Sequence, residues 1–298
     1  MYIPEATYRI QLHKGFNFSQ LREILPYLHA LGISTIYASP VTLAMPGSEH
    51  GYDVINPLEI NPEIGTLAQW EEINRFLKEH GMGWLQDIVP NHMAYATENP
   101  WIYDVLERGV CSAYYAYFDI IPQYISAPAT HDINGKPANQ QLPSTTYHLP
   151  STNPIIPFLE NELNDCIRLG EIKLAFSING FSLQYKNQEY PAAVSSYNWI
   201  CACIPGCYQP LLAWSAKAKD FGFLPPEEWF YFKKGIIGEV WNSPRLRELA
   251  LGYCRHINER PELLGELLTF QHYQLCSWKT SFTKMNYRRF FAVNSLIC

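Results

Sequence analysis

Asp87-Ile88-Val89-Pro90-Asn91-His92-Met93 is the stretch on which the reading of this chain turns. The apolar run from Trp84 to Val89 has the length and β-branched content of a buried strand. It carries one carboxylate, Asp87, and runs directly into Asn91-His92. In a parallel α/β barrel, binding and catalytic side chains sit at the C-terminal ends of the strands. An acid within a strand and an imidazole at its mouth therefore predict a site.

Working outward towards the N-terminus, the pattern repeats. Ala6 to Leu12 has strand character. Ser19 is placed to cap a helix whose apolar residues Leu21, Ile24, Leu25, Leu28 and Leu31 follow helical spacing, with Pro26 as a kink or tight first turn and Gly32 at its end. Thr35 to Ser39 reads as a second strand. Thr66, with Gln69 three residues on, predicts a capping box for a second helix, buried through Trp70, Ile73 and Leu77 and stopped by Gly81. Strand–helix–strand–helix–strand calls for parallel strands joined by right-handed crossovers. The loop from Val41 to Gly65 follows a strand, so it belongs to the face where sites form. It contains Glu49, His50, Gly51, Tyr52 and Asp53.

Beyond His92 the alternation stops. Asn99-Pro100 predicts a helix start, and Ser126 to Pro157 reads as a long irregular loop. Lys173–Ile178 and Phe181–Tyr185, joined at Asn179-Gly180, predict a hairpin. Ser243-Pro244 opens a helix to about Ile257, Pro261 another towards Cys276, and Tyr287 to Phe291 has strand character. The expected fold class is α/β: the N-terminal part of a (β/α)8 barrel with a large, mostly helical insertion after the third strand. Residues 1–92 are expected to form the first three β/α units, 93–285 the insertion, and 286–298 the start of a return to the barrel, leaving it incomplete.

Composition narrows the function. A net charge of −6 excludes the basic face of a nucleic-acid binder. No apolar run reaches the roughly 18 residues of a membrane span, and the N-terminus lacks the pattern of a signal peptide. The cysteines are scattered, as in a reducing compartment, so a cytoplasmic protein is expected. Cys201, Cys203 and Cys207 lack an adjacent histidine, so structural thiols are expected there rather than a metal site. No cofactor is expected. The 20 Tyr and 8 Trp suit either a large aromatic core or a surface that stacks on sugar rings.

His50-Gly51-Tyr52-Asp53-Val54, followed by Asp87-Ile88-Val89-Pro90-Asn91-His92, resembles the α-amylase clan of glycoside hydrolases. Within that clan, Thr7–Leu12, Tyr37-Ala38-Ser39-Pro40, Pro46–Val54 and Asn286–Phe291 are similar to the malto-oligosyltrehalose synthase family. The resemblance implies an isomerase acting on maltodextrin, which turns the reducing-end α-1,4 linkage into an α,α-1,1 linkage. That reaction would run through a retaining, two-carboxylate scheme with water excluded. It further implies that Tyr52 stacks on the sugar at the cleavage subsite, that Asp53 binds its hydroxyls and that His92 donates to its 6-hydroxyl. His50 would lie near the site. Asp87 and Asn91 would support it, Asp87 by holding the arginine of the nucleophile strand.

The chain also departs from the family pattern. The clan's nucleophile lies in Gly-x-Arg-x-Asp, and no arginine here has an aspartate two residues later. His131-Asp132 stands in the wrong order for the clan's late His-Asp box. The chain is therefore expected to lack the nucleophile and general acid and to be inactive alone. It would be a shortened enzyme, one part of a split enzyme completed by a C-terminal polypeptide, or a non-catalytic carbohydrate binder. An ordinary maltodextrin hydrolase is the alternative chemistry.

Overall fold

The structure, a computed structural model, describes residues 3–90, 92–120, 153–204, 209–220 and 224–281. The chain divides into two compact units, Met1–Tyr103 and Asp104–Cys298.

In chain order the first unit carries β1 (Thr7–Ile10), α1 (Phe18–Ala30), β2 (Thr35–Ala38), β3 (Thr42–Ala44), β4 (Val54–Ile60), α2 (Leu67–Glu79) and β5 (Gly83–Gln86). Three of the strands pair in parallel in the order β1-β2-β5. Tyr37 stands beside Arg9 on one side and Leu85 on the other. Alternation then puts Arg9, Tyr37 and Leu85 on one face of the sheet, and Ile10, Ile36, Ala38 and Trp84 on the other. That second face is the core. Leu21, Leu25 and Leu28 of α1 and Ile73 and Leu77 of α2 pack there in one cluster with Ile10, Ile36 and Ala38.

The helix signals are kept with one correction. The cap of α1 is Asn17, not Ser19: Asn17 and Gln20 form a capping box. Ser19 lies inside the helix, and its hydroxyl accepts from Gln69 at 2.9 Å, tying the start of α1 to that of α2. Thr66 and Gln69 box α2 as expected. Pro26 sits within α1 without ending it. It is exposed, so water can satisfy the carbonyl that its missing N–H would have bonded. Leu31, expected on the apolar face, is exposed at the helix end. The third strand is shorter than expected and stops at Gln86. The last rung is the Asp87 N–H to the Ala38 carbonyl at 2.9 Å, after which Ile88 turns out to solvent. The loop between Val41 and Gly65 is more ordered than expected, because β3 and β4 pair antiparallel within it, with a bulged register.

After α3 (Pro100–Arg108), opened by the side chain of Asn99, come β6 (Ile155–Leu159), α4 (Leu163–Arg168), β7 (Ile172–Ser177), β8 (Gly180–Tyr185) and β9 (Gln188–Pro191). Then follow α5 (Tyr197–Ala202), α6 (Gln209–Asp220), α7 (Pro226–Trp241), α8 (Pro244–Asn258), α9 (Pro261–Thr269) and β10 (Gln274–Ser277). The expected hairpin is present, and β9 extends it to three antiparallel strands. Its two loop residues are Ile178 and Asn179 rather than Asn179 and Gly180. Gly180 follows at φ +100°, where a Cβ would also press on the Tyr197 hydroxyl. The core of this unit is aromatic: Phe181 and Trp214 are in ring contact with each other, and each with Phe176 and Tyr197. Asn258 accepts from the Leu174 N–H and donates to its carbonyl, at 2.7 and 2.9 Å, which fastens α8 to β7.

The helix from Pro261 is shorter than expected. It ends at Thr269, and Cys276 lies in β10, parallel to β6. Tertiary hydrogen bonds stop it: the Gln271 side chain accepts from the Ala193 N–H, and the Tyr273 hydroxyl donates to the Pro191 carbonyl. The strand expected at Tyr287–Phe291, most of the loop at 126–157 and His131-Asp132 lie outside the described residues.

Candidate functional site

The sheet face that the helices leave uncovered carries the site. Arg9 and Tyr37 project from it, and Asp87, two residues past Leu85, falls on the same side. Asp87 is half-buried just beyond β5, not sealed within a strand. Its Oδ2 accepts from the Tyr52 hydroxyl at 2.6 Å and from the Tyr37 hydroxyl at 3.3 Å. Those donors offset the cost of removing a carboxylate from bulk water. The arginine that the resemblance implied for Asp87 belongs to a strand with no counterpart in this chain; within the chain, two tyrosines donate to the carboxylate.

Tyr52 joins this carboxylate to a cation. Its hydroxyl donates to Asp87 and accepts from Arg9 Nη2 at 3.1 Å. The hydrogen bond to Asp87 raises the Tyr52 phenol above its ordinary value, with burial and the charge of Asp87 acting the same way and Arg9 opposing. Tyr52 therefore stays a neutral donor across the physiological range. The Arg9 guanidinium also lies 5.3 Å from the centre of the Tyr37 ring, within cation–π range.

The loop that delivers Tyr52 is braced from behind. Gln11 Nε2 donates to the carbonyls of Glu49 and His50, both at 3.1 Å. Gly51 adopts φ +75° with its Cα turned towards the Pro40 carbonyl, where a Cβ would stand 3.0 Å from that oxygen. A side chain at this position would be strained twice over. His50 Nδ1 accepts from the Tyr52 N–H at 3.0 Å, and the two rings stack with centroids 5.9 Å apart. His50 Nδ1 also stands 3.7 Å from Asp53 Oδ1, beyond hydrogen-bond distance. Asp53 Oδ1 instead accepts from the Ser48 hydroxyl.

Tyr52, His50 and Asp87 are thus joined by hydrogen bonds, and Asp53 follows Tyr52 in the same loop. His92 is exposed, and its segment is held alongside them by the Ala94 N–H to the Val54 carbonyl at 2.8 Å. Asn91 lies outside the described residues. Arg9, Tyr37, Gln11 and Ser48 belong to the quoted motifs, yet the sequence alone assigned them no role. Period-two alternation from Tyr37 and Asp87 was the available signal for Arg9.

Among the described residues, no group of three His, Cys, Asp or Glu side chains could hold a metal ion, and no helix is long and apolar enough to cross a membrane. Cys201 is buried and Cys203 half-buried, while Cys207 lies outside the described residues.

Comparisons with known proteins bear on the family and the fold. Residues 18–150 match the model of the alpha-amylase catalytic domain. A protein of Mycobacterium tuberculosis assigned as a maltooligosyl trehalose synthase is 39 % identical over 122 residues, covering 39 % of this chain and 16 % of that protein. In structure, a maltooligosyl trehalose synthase superposes on 98 % of this chain and 27 % of its own, with TM-score 0.60 and 28 % identity. The synthase of Arthrobacter ramosus superposes on 98 % of this chain and 26 % of its own, with TM-score 0.56 and 26 % identity. The chain therefore spans about a sixth of the curated relative and about a quarter of each of these two solved structures. The resemblance to maltooligosyl trehalose synthases is present in both sequence and structure, and the match to the alpha-amylase catalytic domain covers residues 18–150.

Proposed function

We propose that this chain forms the sugar-binding wall of an intramolecular transglycosylase, an isomerase that converts the reducing-end α-1,4 bond of a maltodextrin into an α,α-1,1 bond and so contributes to trehalose biosynthesis. The reading is carried by the convergence of Tyr52 and Tyr37 on Asp87, beside Arg9, at the C-terminal ends of parallel strands. Asp53 keeps acceptor capacity for sugar hydroxyls, since a carboxylate has about four lone-pair sites and Ser48 uses one. Tyr52 offers a ring held rigidly at both ends of its hydroxyl. His50 takes one ring face, so a sugar would stack on the other. His92 would complete the subsite as a donor, and Asn91 would fix its loop.

In a retaining scheme the nucleophile's oxygen bonds to the anomeric carbon as the glycosidic C–O bond breaks. The general acid passes its proton to the departing oxygen. The freed glucose then attacks the same carbon through its own anomeric hydroxyl; the bond between that carbon and the nucleophile breaks, which frees the nucleophile carboxylate, and the hydroxyl proton passes to the deprotonated acid. Neither carboxylate is matched by a motif within these 298 residues. The binding wall is expected to lie in 1–92 and the insertion in 93–285, with 286–298 leading back towards the barrel. A complementary polypeptide would supply the nucleophile and acid. No cofactor is invoked, and the cytoplasm is the expected compartment.

The test is to incubate the purified chain with maltohexaose and follow reducing ends and free glucose together. Neither is expected to change. Loss of reducing ends without glucose would show that these residues suffice for the isomerisation. Release of glucose would favour the maltodextrin hydrolase reading. If maltohexaose also fails to bind, the sugar-binding assignment is wrong.

A further inference from the structure

Unit two carries a second group of aromatic and polar side chains at its surface, where the start of α5 meets the end of α9. Ser195 and Trp199 are four residues apart across the start of α5, and Glu266 and Phe270 are four apart at the end of α9. That spacing sets each pair on one side of its helical turn. The two pairs meet. The Trp199 indole N–H donates to Glu266 Oε1 at 3.1 Å, and the rings of Trp199 and Phe270 lie 5.4 Å apart at 47°. Beside them, Ser195 Oγ stands 3.4 Å from His272 Nε2.

The cluster is part open to solvent, with Trp199 and His272 half-buried. Ser195 and Glu266 are exposed, and Phe270 keeps 41 % of its surface accessible. Burial lowers the His272 imidazole below its ordinary value, so near neutral pH the ring is uncharged, with one donor and one acceptor nitrogen. Two rings set as a wedge offer an apolar surface whose tilt is locked by the bond between the indole and Glu266. Around it stand a carboxylate with acceptor capacity left, a hydroxyl and a neutral imidazole. Glu266 is the one charged member of the cluster, which disfavours an anionic ligand.

A sugar ring matches this arrangement. It has a C–H face that stacks on aromatic rings and a rim of hydroxyls that donate to carboxylates and exchange hydrogen bonds with neutral groups. We infer that Trp199, Phe270, Glu266, Ser195 and His272 form an accessory binding site for an α-1,4-glucan chain, on residues other than the strand-end group around Tyr52. The choice of glucan rests on the proposed function above; the geometry of the cluster does not.

The experiment is affinity electrophoresis of the 298-residue chain through native gels containing soluble starch, with far-UV circular dichroism to confirm that each variant is folded. Trp199→Ala, Phe270→Ala and Glu266→Gln are expected to weaken retardation, the first by about tenfold, as for loss of one stacked ring. Trp199→Phe, which keeps a ring, should retain more than Trp199→Ala. Should Trp199→Ala fail to fold, the two exposed-residue variants carry the test. Tyr52→Ala separates the two sites. Retardation that survives Tyr52→Ala and falls in the α5/α9 variants supports the accessory site. Retardation unchanged in all three α5/α9 variants but lost in Tyr52→Ala overturns it and leaves the strand-end reading intact. If the unmodified chain is not retarded by starch at all, both readings fail.

Discussion

Asp87 and Glu107 each accept a hydrogen bond from an aromatic side chain, yet their surroundings give them opposite tasks. Asp87 is half-buried and takes neutral donors, the hydroxyls of Tyr52 and Tyr37. The nearby cation, Arg9, reaches it through Tyr52. Glu107 is fully enclosed and takes the Trp229 indole N–H and the Lys233 ammonium. One residue further on, the enclosed Arg108 donates to Asp104 and to the Leu224 carbonyl, under the ring of Trp229. A buried charge must be matched by an opposite charge within reach, and what results is structure. A carboxylate at an open strand end, held by uncharged donors, keeps its charge available to a ligand. The difference between scaffold and site thus lies less in residue type than in what satisfies the charge.

The contrast can be broken most forcefully at Arg108. Arg108→Ala leaves Asp104 in a buried place without its cation, and the expected loss is about 3–5 kcal/mol, read as a shift in urea midpoint. A loss within about 0.5 kcal/mol would mean that water reaches the cluster and that it resembles the Asp87 site after all.

At the open site the loss of stability should be smaller and the loss of binding larger. Tyr52→Phe removes the donor to Asp87 and is expected to cost stability only about 1 kcal/mol. Tyr52→Ala should weaken maltohexaose binding about tenfold by calorimetric titration. If the stability loss matches that of Arg108→Ala while binding is unchanged, Tyr52 belongs to the scaffold.

Helix capping in the first unit gives a smaller, local reference. Thr66→Ala should lower stability by about 1 kcal/mol without touching sugar affinity, as measured by thermal melting and titration in parallel.

The smallest effects are in pH. The Tyr52 phenol is raised by Asp87, so the stabilisation from their bond is whole below the phenol's ordinary value of 10.0 and is lost as pH rises through the raised value. The His272 imidazole is lowered by burial, so its contribution is present above 6.5 and is lost as pH falls through the lowered value. Melting curves of Tyr52→Phe and of His272→Gln should flatten the alkaline and acid limbs respectively. An unchanged limb removes that residue as its source.

Much of the first unit was legible because its cues are local. The capping residues Thr66 and Gln69, the spacing of Leu21, Leu25 and Leu28, and the strand at Thr35 each act within a few residues, so a linear reading finds them. The motifs named Tyr52, Asp53, His50 and Asp87 together before any contact was known, and the fold joins Tyr52, His50 and Asp87 by hydrogen bonds. The second unit was harder. The Pro226 helix has a proline at its first position and Glu227 and Glu228 in its first turn, signals that were present and unread. The parallel pairing of β6 with β10 could not be read at all, since it joins segments more than a hundred residues apart.

What the sequence determined alone was periodicity and capping. Those depend on backbone geometry that repeats every two or three to four residues. What the tertiary structure decided was partnership: that Tyr52 and Tyr37 converge on Asp87, that Ser19 ties two helices instead of capping one, and that α9 stops where Gln271 and Tyr273 find bonds elsewhere. A hydrogen bond depends on distance in space, and a linear chain does not state which distant residues the folded core will bring together.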